Sequence, residues 1–416
     1  MFTSLFYIIV AIIVLDFAFG QLLDYLNSTM WSDKLPKAFV GFYDPEKYKK
    51  SQDYFRENQK FGYITSGFSF LLILLMLFLG GFAVVDSMAR QISSNPILSA
   101  LIFFGILGLA MDILTTPFSL YDTFVIEEKY GFNKSSIKLF FTDKLKSWLL
   151  GAVIGGAILS LIIWFYMATG KWFWLLAWGF VSVFMVFMTM FYSSLIVPLF
   201  NKQTPLEEGE LRNEIEDFCQ KVGFKLDNVF VIDGSKRSSK ANAYFSGLGK
   251  KKRIILYDTL INDLSTQEIV AVLAHEIGHY QKKHTKKGMI LSVLQTGITF
   301  YILSWFISNP SLSEALGVDQ PSFQVSLIAF GILYSPISTI LGLGMNVLSR
   351  KNEFEADAFA RENYEGHALA TALKKLTVNN LGNLRPHSLY VFFNYSHPPV
   401  LERLARLEVG SPESEN

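Results

Sequence analysis

His275-Glu276-Ile277-Gly278-His279 places two imidazoles and a carboxylate within five residues. The chain before it reads as a helix start: Ser265-Thr-Gln-Glu268 fits a capping box, and an apolar run Ile-Val-Ala-Val-Leu-Ala follows. At about 3.6 residues per turn, His275 and His279 fall on one helical face, where both rings can reach a single Zn²⁺. Glu276, beside the first ligand, is then placed to act as general base on a water activated by the metal. The pattern predicts metal-assisted hydrolysis with one zinc per chain.

A zinc hydrolase needs three protein ligands and one open position. Asn352-Glu353-Phe-Glu-Ala-Asp357 offers them: Glu353 as third ligand and Asp357, one turn on, as acceptor for the remaining N–H of a ligand histidine. The segment resembles the Asn-Glu-x-x-x-Asp element of thermolysin-like zinc peptidases, the gluzincins. An ordinary acidic helix is the alternative, and Glu355 shows that acids are common here.

These residues must be positioned by a chain that is largely apolar. Hydrophobic residues make up 51% and the formal net charge is +1. Apolar stretches near 2–24, 62–85, 97–117, 148–168, 172–200, 289–308 and 323–348 approach or exceed the ~20 residues that cross a bilayer. Seven transmembrane helices are expected. The first lacks the basic start and small-residue cleavage site of a signal peptide. Lys and Arg concentrate in residues 34–60, 129–146 and 201–288 and in the tail from Arg350, whereas 309–322 has neither. The positive-inside rule then puts the zinc domain and C-terminus in the cytosol and the N-terminus in the lumen or periplasm. Cys219 stands alone, which excludes an internal disulfide and a cysteine zinc cluster; it reads as a small, partly buried apolar residue.

The division expected is 1–200 for spans one to five, 201–288 for the cytosolic part carrying the motif, 289–349 for spans six and seven, and 350–416 for a helical part carrying the third ligand. Within 201–288 an amphipathic helix begins at Glu207, strands cover Val229–Asp233 and Arg253–Tyr257, and a third lies near Asn242. Spans six and seven form a hairpin that returns the chain to the motif's side. The fold class is therefore mainly α, with a small α+β zinc-protease unit.

Longer segments carry a family resemblance: Thr123-Phe-Val-Ile-Glu-Glu-Lys-Tyr-Gly-Phe-Asn-Lys134, Asp233-Gly-Ser-Lys-Arg-Ser-Ser, Asn242-Ala-Tyr-Phe, Arg253-Ile-Ile-Leu-Tyr-Asp-Thr-Leu260 and Tyr395-Ser-His-Pro-Pro-Val-Leu-Glu-Arg403. They resemble the type 1 CAAX prenyl proteases, integral-membrane zinc enzymes, from Tyr43 to Arg403. The resemblance implies seven helices around an intramembrane chamber and removal of three C-terminal residues from isoprenylated CAAX proteins. It implies His275, His279 and Glu353 as zinc ligands and Glu276 as base. It further implies that His397 and Arg403 lie in the active site, His397 stabilising the oxyanion, and that Asn242 and Ala243 belong to an edge strand holding the peptide extended. From the residues alone, His397 equally caps a turn and Arg403 equally serves a structural ion pair. A membrane quality-control protease is the rival enzyme, and a transporter or scaffold with structural zinc the rival of another class. His284, His367 and His387 read as surface or packing residues. The Lys250–Arg253 run reads as a solvated face near lipid headgroups, not a nucleic-acid site. The tail Gly410–Asn416 is expected to be disordered. The sequence leaves the oligomeric state open.

Overall fold

A bilayer contains no water to satisfy backbone groups, so the apolar stretches have to become helices. The computed structural model, which describes residues 3–226, 228–246 and 253–408, is built from them. Six helical runs are long and apolar enough to cross a membrane: Ser4–Ser28, Pro45–Phe78, Pro96–Tyr130, Ile137–Phe200, His284–Phe306 and Phe323–Asn363. The fourth contains two of the expected spans. At 64 residues it would reach about 96 Å if straight. It breaks at Gly170, whose φ of 52° suits glycine, and the helices Gly156–Thr169 and Phe173–Leu195 on either side pack on each other.

Two spans differ from their expected limits. The second ends at Phe78 rather than 85, because Gly80 turns left-handed (φ 67°) and opens a separate helix, Gly81–Ile92. The last does not stop near 348. Phe323–Asn363 is one 41-residue helix, about 60 Å long, so roughly half of it projects beyond the ~30 Å apolar layer. Glu353 and Asp357 ride on that projection.

Outside the membrane helices lies a four-stranded sheet in the order β1-β2-β4-β3: β1 is Gln203–Pro205, β2 Asn228–Ile232, β3 Ala243–Ser246 and β4 Arg253–Tyr257. β2 and β4 run parallel, while β1 and β3 are antiparallel edges; β1 was not foreseen. The helix Thr266–Gln281 starts at the expected capping box, with Ser265 and Glu268 exchanging hydrogen bonds. It is buried along most of its length, between the sheet and the end of the long helix. Gly278 permits the contact, since a Cβ there would lie 3.1 Å from Phe359 Cβ and 3.2 Å from Ala356 Cα. Cys219 is buried in the same core, its thiol pushed up to about 12 by desolvation.

The segment after the first span joins this core through Phe39, Tyr43 and Tyr48. The turn after β2 fastens the sheet to the membrane helices. There Arg237 Nε donates to Asp143 (2.7 Å), Arg237 Nη2 to the Phe200 carbonyl (2.8 Å), and Lys240 Nζ to Glu127 (2.8 Å). Lys250 to Lys252 and the tail from Val409, including Gly410–Asn416, lie outside the described residues.

Candidate active site

The capped helix Thr266–Gln281 presents His275 and His279, and the long helix crossing it presents Glu353. The Nε2 atoms of the two histidines are 3.1 Å apart. Glu353 Oε1 lies 3.2 Å from His279 Nε2, and Oε2 lies 3.5 Å from His275 Nε2. All three donor atoms fall within 4.8 Å of one another, the one such cluster among the described residues. Two ring nitrogens this close need a proton or a metal ion between them. Glu353 Oε2 is also buried with no hydrogen-bond partner, although Arg403 Nη1 stands 3.5 Å away. A 2-His, 1-carboxylate set with an orphaned buried oxygen fits a metal ion.

Each histidine is held from behind. His275 Nδ1 lies 2.8 Å from Asp357 Oδ1, where the ring N–H donates, leaving Nε2 free to ligate. Asp357 in turn accepts two bonds from Arg403, Nη2 to Oδ1 at 2.6 Å and Nε to Oδ2 at 2.9 Å. Burial alone would lower the His275 pKa, but its bonds to Asp357 and Glu353 outweigh burial and raise it to about 9. Burial likewise disfavours the Arg403 charge, and the Asp357 pair more than restores it. The pocket therefore attracts positive charge.

Glu276 is half-buried, has no hydrogen-bond partner among the described residues, and interacts with Arg403 through its charge. His397 follows the helix Ser388–Asn394, its ring 65% exposed, with Nε2 3.4 Å from Glu353 Oε1 and Nδ1 3.0 Å from Ser396 Oγ. Asn242 is exposed immediately before β3, and Ala243 opens it. β3 pairs with β4 on one side, has no strand on the other among the described residues, and packs against the motif helix. The structure thus brings His275, His279, Glu353, Asp357, His397 and Arg403 into direct contact, with Glu276 and the β3 edge beside them. Arg403 touches Asp357, His275 and Glu353, so its guanidinium stands behind the ligands.

His284 takes the packing side of its surface-or-packing reading and adds a contact with a candidate ligand. It is 5% exposed and its ring Nδ1 is 3.1 Å from His279 Nδ1, while its Nε2 is 3.0 Å from Glu355 Oε2. The signal available was the spacing of five from His279; it carried no weight because a continuous helix would aim that residue elsewhere. His387 accepts from the Leu389 amide at a helix start, and His367 is exposed, as expected of bystanders.

Comparisons with known proteins identify the family. Residues 24–202 match the CAAX prenyl protease N-terminal family of five membrane helices, and residues 205–409 match peptidase family M48. The chain is 37% identical to the CAAX prenyl protease 1 homolog of Oryza sativa, over 92% of both. It is 35% identical to CAAX prenyl protease 1 of Saccharomyces cerevisiae, covering 97% of this chain and 95% of the relative. The crystal structure of S. mikatae Ste24p superposes with a TM-score of 0.92 at 36% identity, over 98% of this chain and all of that one. With a 2-His, 1-Glu metal site placed where the last two membrane helices meet a small sheet, this chain belongs to the M48 family of membrane-integral metallopeptidases that includes the CAAX prenyl proteases.

Proposed function

We propose that this metalloprotease is a zinc endopeptidase that cuts near the C-terminus of isoprenylated CAAX-type proteins. The observation that carries the reading is the convergence of His275, His279 and Glu353, with Glu276 unpaired beside them, at the end of a membrane helix hairpin. A donor set of two imidazoles and one carboxylate favours zinc with an open position. When bound, the metal supplies Lewis-acid polarisation of the scissile carbonyl and acidifies the attacking water.

The remaining chemistry belongs to the chain. The peptide adds to the free side of β3, where Asn242 and Ala243 offer main-chain groups and the strand fixes it extended across the motif helix. Glu276 takes the proton of the attacking water and passes it to the leaving amine. His397, exposed yet within reach of Glu353, donates to the developing oxyanion. Arg403 holds Asp357, and through it His275.

The orientation follows the basic loops: sheet and C-terminus cytosolic, N-terminus lumenal or periplasmic, with Ile137–Phe200 crossing twice to make seven passages. The segments 1–200, 201–288, 289–349 and 350–416 then alternate between membrane and catalytic roles. Ile137–Leu150 buries no residue, and Asp112, Lys144 and Trp148 form a polar cluster within the helices, Lys144 Nζ reaching Asp112 at 2.8 Å. Asp112 lies inside the third span, where an ionisable group faces a hydrated or protein interior, which favours a chamber that admits both water and a lipid-bearing substrate.

The test is purified protein challenged with a farnesylated CAAX peptide, its unprenylated twin and a misfolded membrane protein. Preferential cleavage of the farnesylated peptide is expected. Degradation of the misfolded protein with neither peptide cut would replace this reading with quality control.

A further inference from the structure

A ligand histidine that binds metal through Nε2 carries its proton on Nδ1 and needs an acceptor there. His275 has Asp357. No carboxylate contacts His279 Nδ1 among the described residues; what lies 3.1 Å away is the Nδ1 of His284. One protonation pattern satisfies every contact. Glu355 accepts from His284 Nε2–H at 3.0 Å, which leaves His284 Nδ1 with a lone pair. That lone pair accepts His279 Nδ1–H, and His279 Nε2 is left bare toward Glu353 and His275. The opposite tautomer of His284 would set two N–H groups against each other and present a lone pair to a carboxylate.

We propose that His284 and Glu355 form a positioning relay for His279, a histidine–histidine–carboxylate chain that fixes the tautomer and aim of the second metal ligand.

The backbone is shaped for it. In an uninterrupted helix, residue 284 would lie about 140° around the axis from His279 and face away. The chain instead leaves the motif helix at Gln281 and enters the membrane helix at His284 through Lys283, held at φ 62° although it is not glycine. A left-handed residue with a side chain costs about 1 kcal/mol, so its presence at this junction marks a geometry that the surroundings enforce. The reversal lays the His284 ring at 73° to that of His279, centroids 5.2 Å apart. The second residue of the relay comes from the long helix, two positions after Glu353, so the element that supplies the third ligand also supports the second.

This inference rests on the metal site proposed above, and cobalt(II) separates the two. Wild type and His279→Ala are titrated with cobalt(II) against a competing chelator while the visible d–d spectrum is recorded. No stoichiometric binding by wild type would remove the metal reading itself. Given binding, His284→Phe fills the space without an acceptor, and His284→Gln keeps an acceptor oxygen. The relay predicts about 10- to 100-fold weaker binding and an altered spectrum for His284→Phe, with His284→Gln recovering most of both. Equal effects of Phe and Gln, whether both weaken binding or neither does, would overturn the relay, because packing alone does not distinguish an acceptor.

Discussion

The two histidines proposed as metal ligands are supported in opposite ways. Behind His275, Asp357 is 2% exposed and locked by two charge-assisted bonds from a buried Arg403. Behind His279, the carboxylate of Glu355 is 37% exposed, shares Lys351 at 3.8 Å, and acts only through His284. The first support joins two elements outside the membrane helices' apolar stretches through the core; the second sits where a membrane helix begins. Water screens the second and not the first. A buried ion pair missing one partner typically costs about 3–5 kcal/mol, whereas an exposed one contributes about 0–1. The difference teaches that His275 is fixed by the fold, while His279 is tuned at its margin.

Replacing Arg403 by Met tests the rigid side most severely. Asp357 would remain buried without its cation, so unfolding free energy should drop by about 3–5 kcal/mol. Thermal denaturation in detergent reads the loss. An unchanged melting temperature with lost activity would instead place the guanidinium on the substrate.

Asp357→Asn should act next most strongly. The amide oxygen can still accept from His275, yet its NH₂ then confronts Arg403, and metal affinity should weaken about 10- to 100-fold. Chelator competition measures it. Affinity as in wild type would abolish the asymmetry.

Gly278→Ala probes the helix crossing that both supports share. The added Cβ must push Phe359 and Ala356 by a few tenths of an ångström, for a cost of about 1–3 kcal/mol in stability. The smallest effect belongs to Glu355→Gln. It retains an acceptor for His284 and removes an exposed charge, so metal affinity should fall by no more than about fivefold. A loss as large as that of Asp357→Asn would show that the two sides are equivalent.

Much of this site could be read in the sequence, for local reasons. The capping box and the i, i+4 histidines depend on helical periodicity alone, and the hairpin places Glu353 by hydropathy. The Glu353–Asp357 pair was legible as one helical face. The His284–Glu355 relay was not, because it depends on a left-handed Lys283 that no composition rule flags. β1 was missed because three residues with a proline make a weak strand signal. The merging of span seven with the third-ligand helix was hidden by the charges of Arg350 and Lys351, which mark the membrane exit without ending the helix. The ion-pair reading of Arg403 stood open beside an active-site one, because its partner Asp357 lies 46 positions away in the sequence.

The most direct test of the account is Glu276→Gln, assayed for bound metal and for cleavage of a farnesylated CAAX peptide. The carboxylate accepts no hydrogen bond among the described residues and interacts with Arg403 only through its charge, so the variant should fold and hold metal as wild type does. Turnover should fall by at least about 10²- to 10⁴-fold, the typical worth of a general base. Hydrolysis at the wild-type rate with metal in place would contradict the assignment of Glu276, and with it the mechanism built on this site.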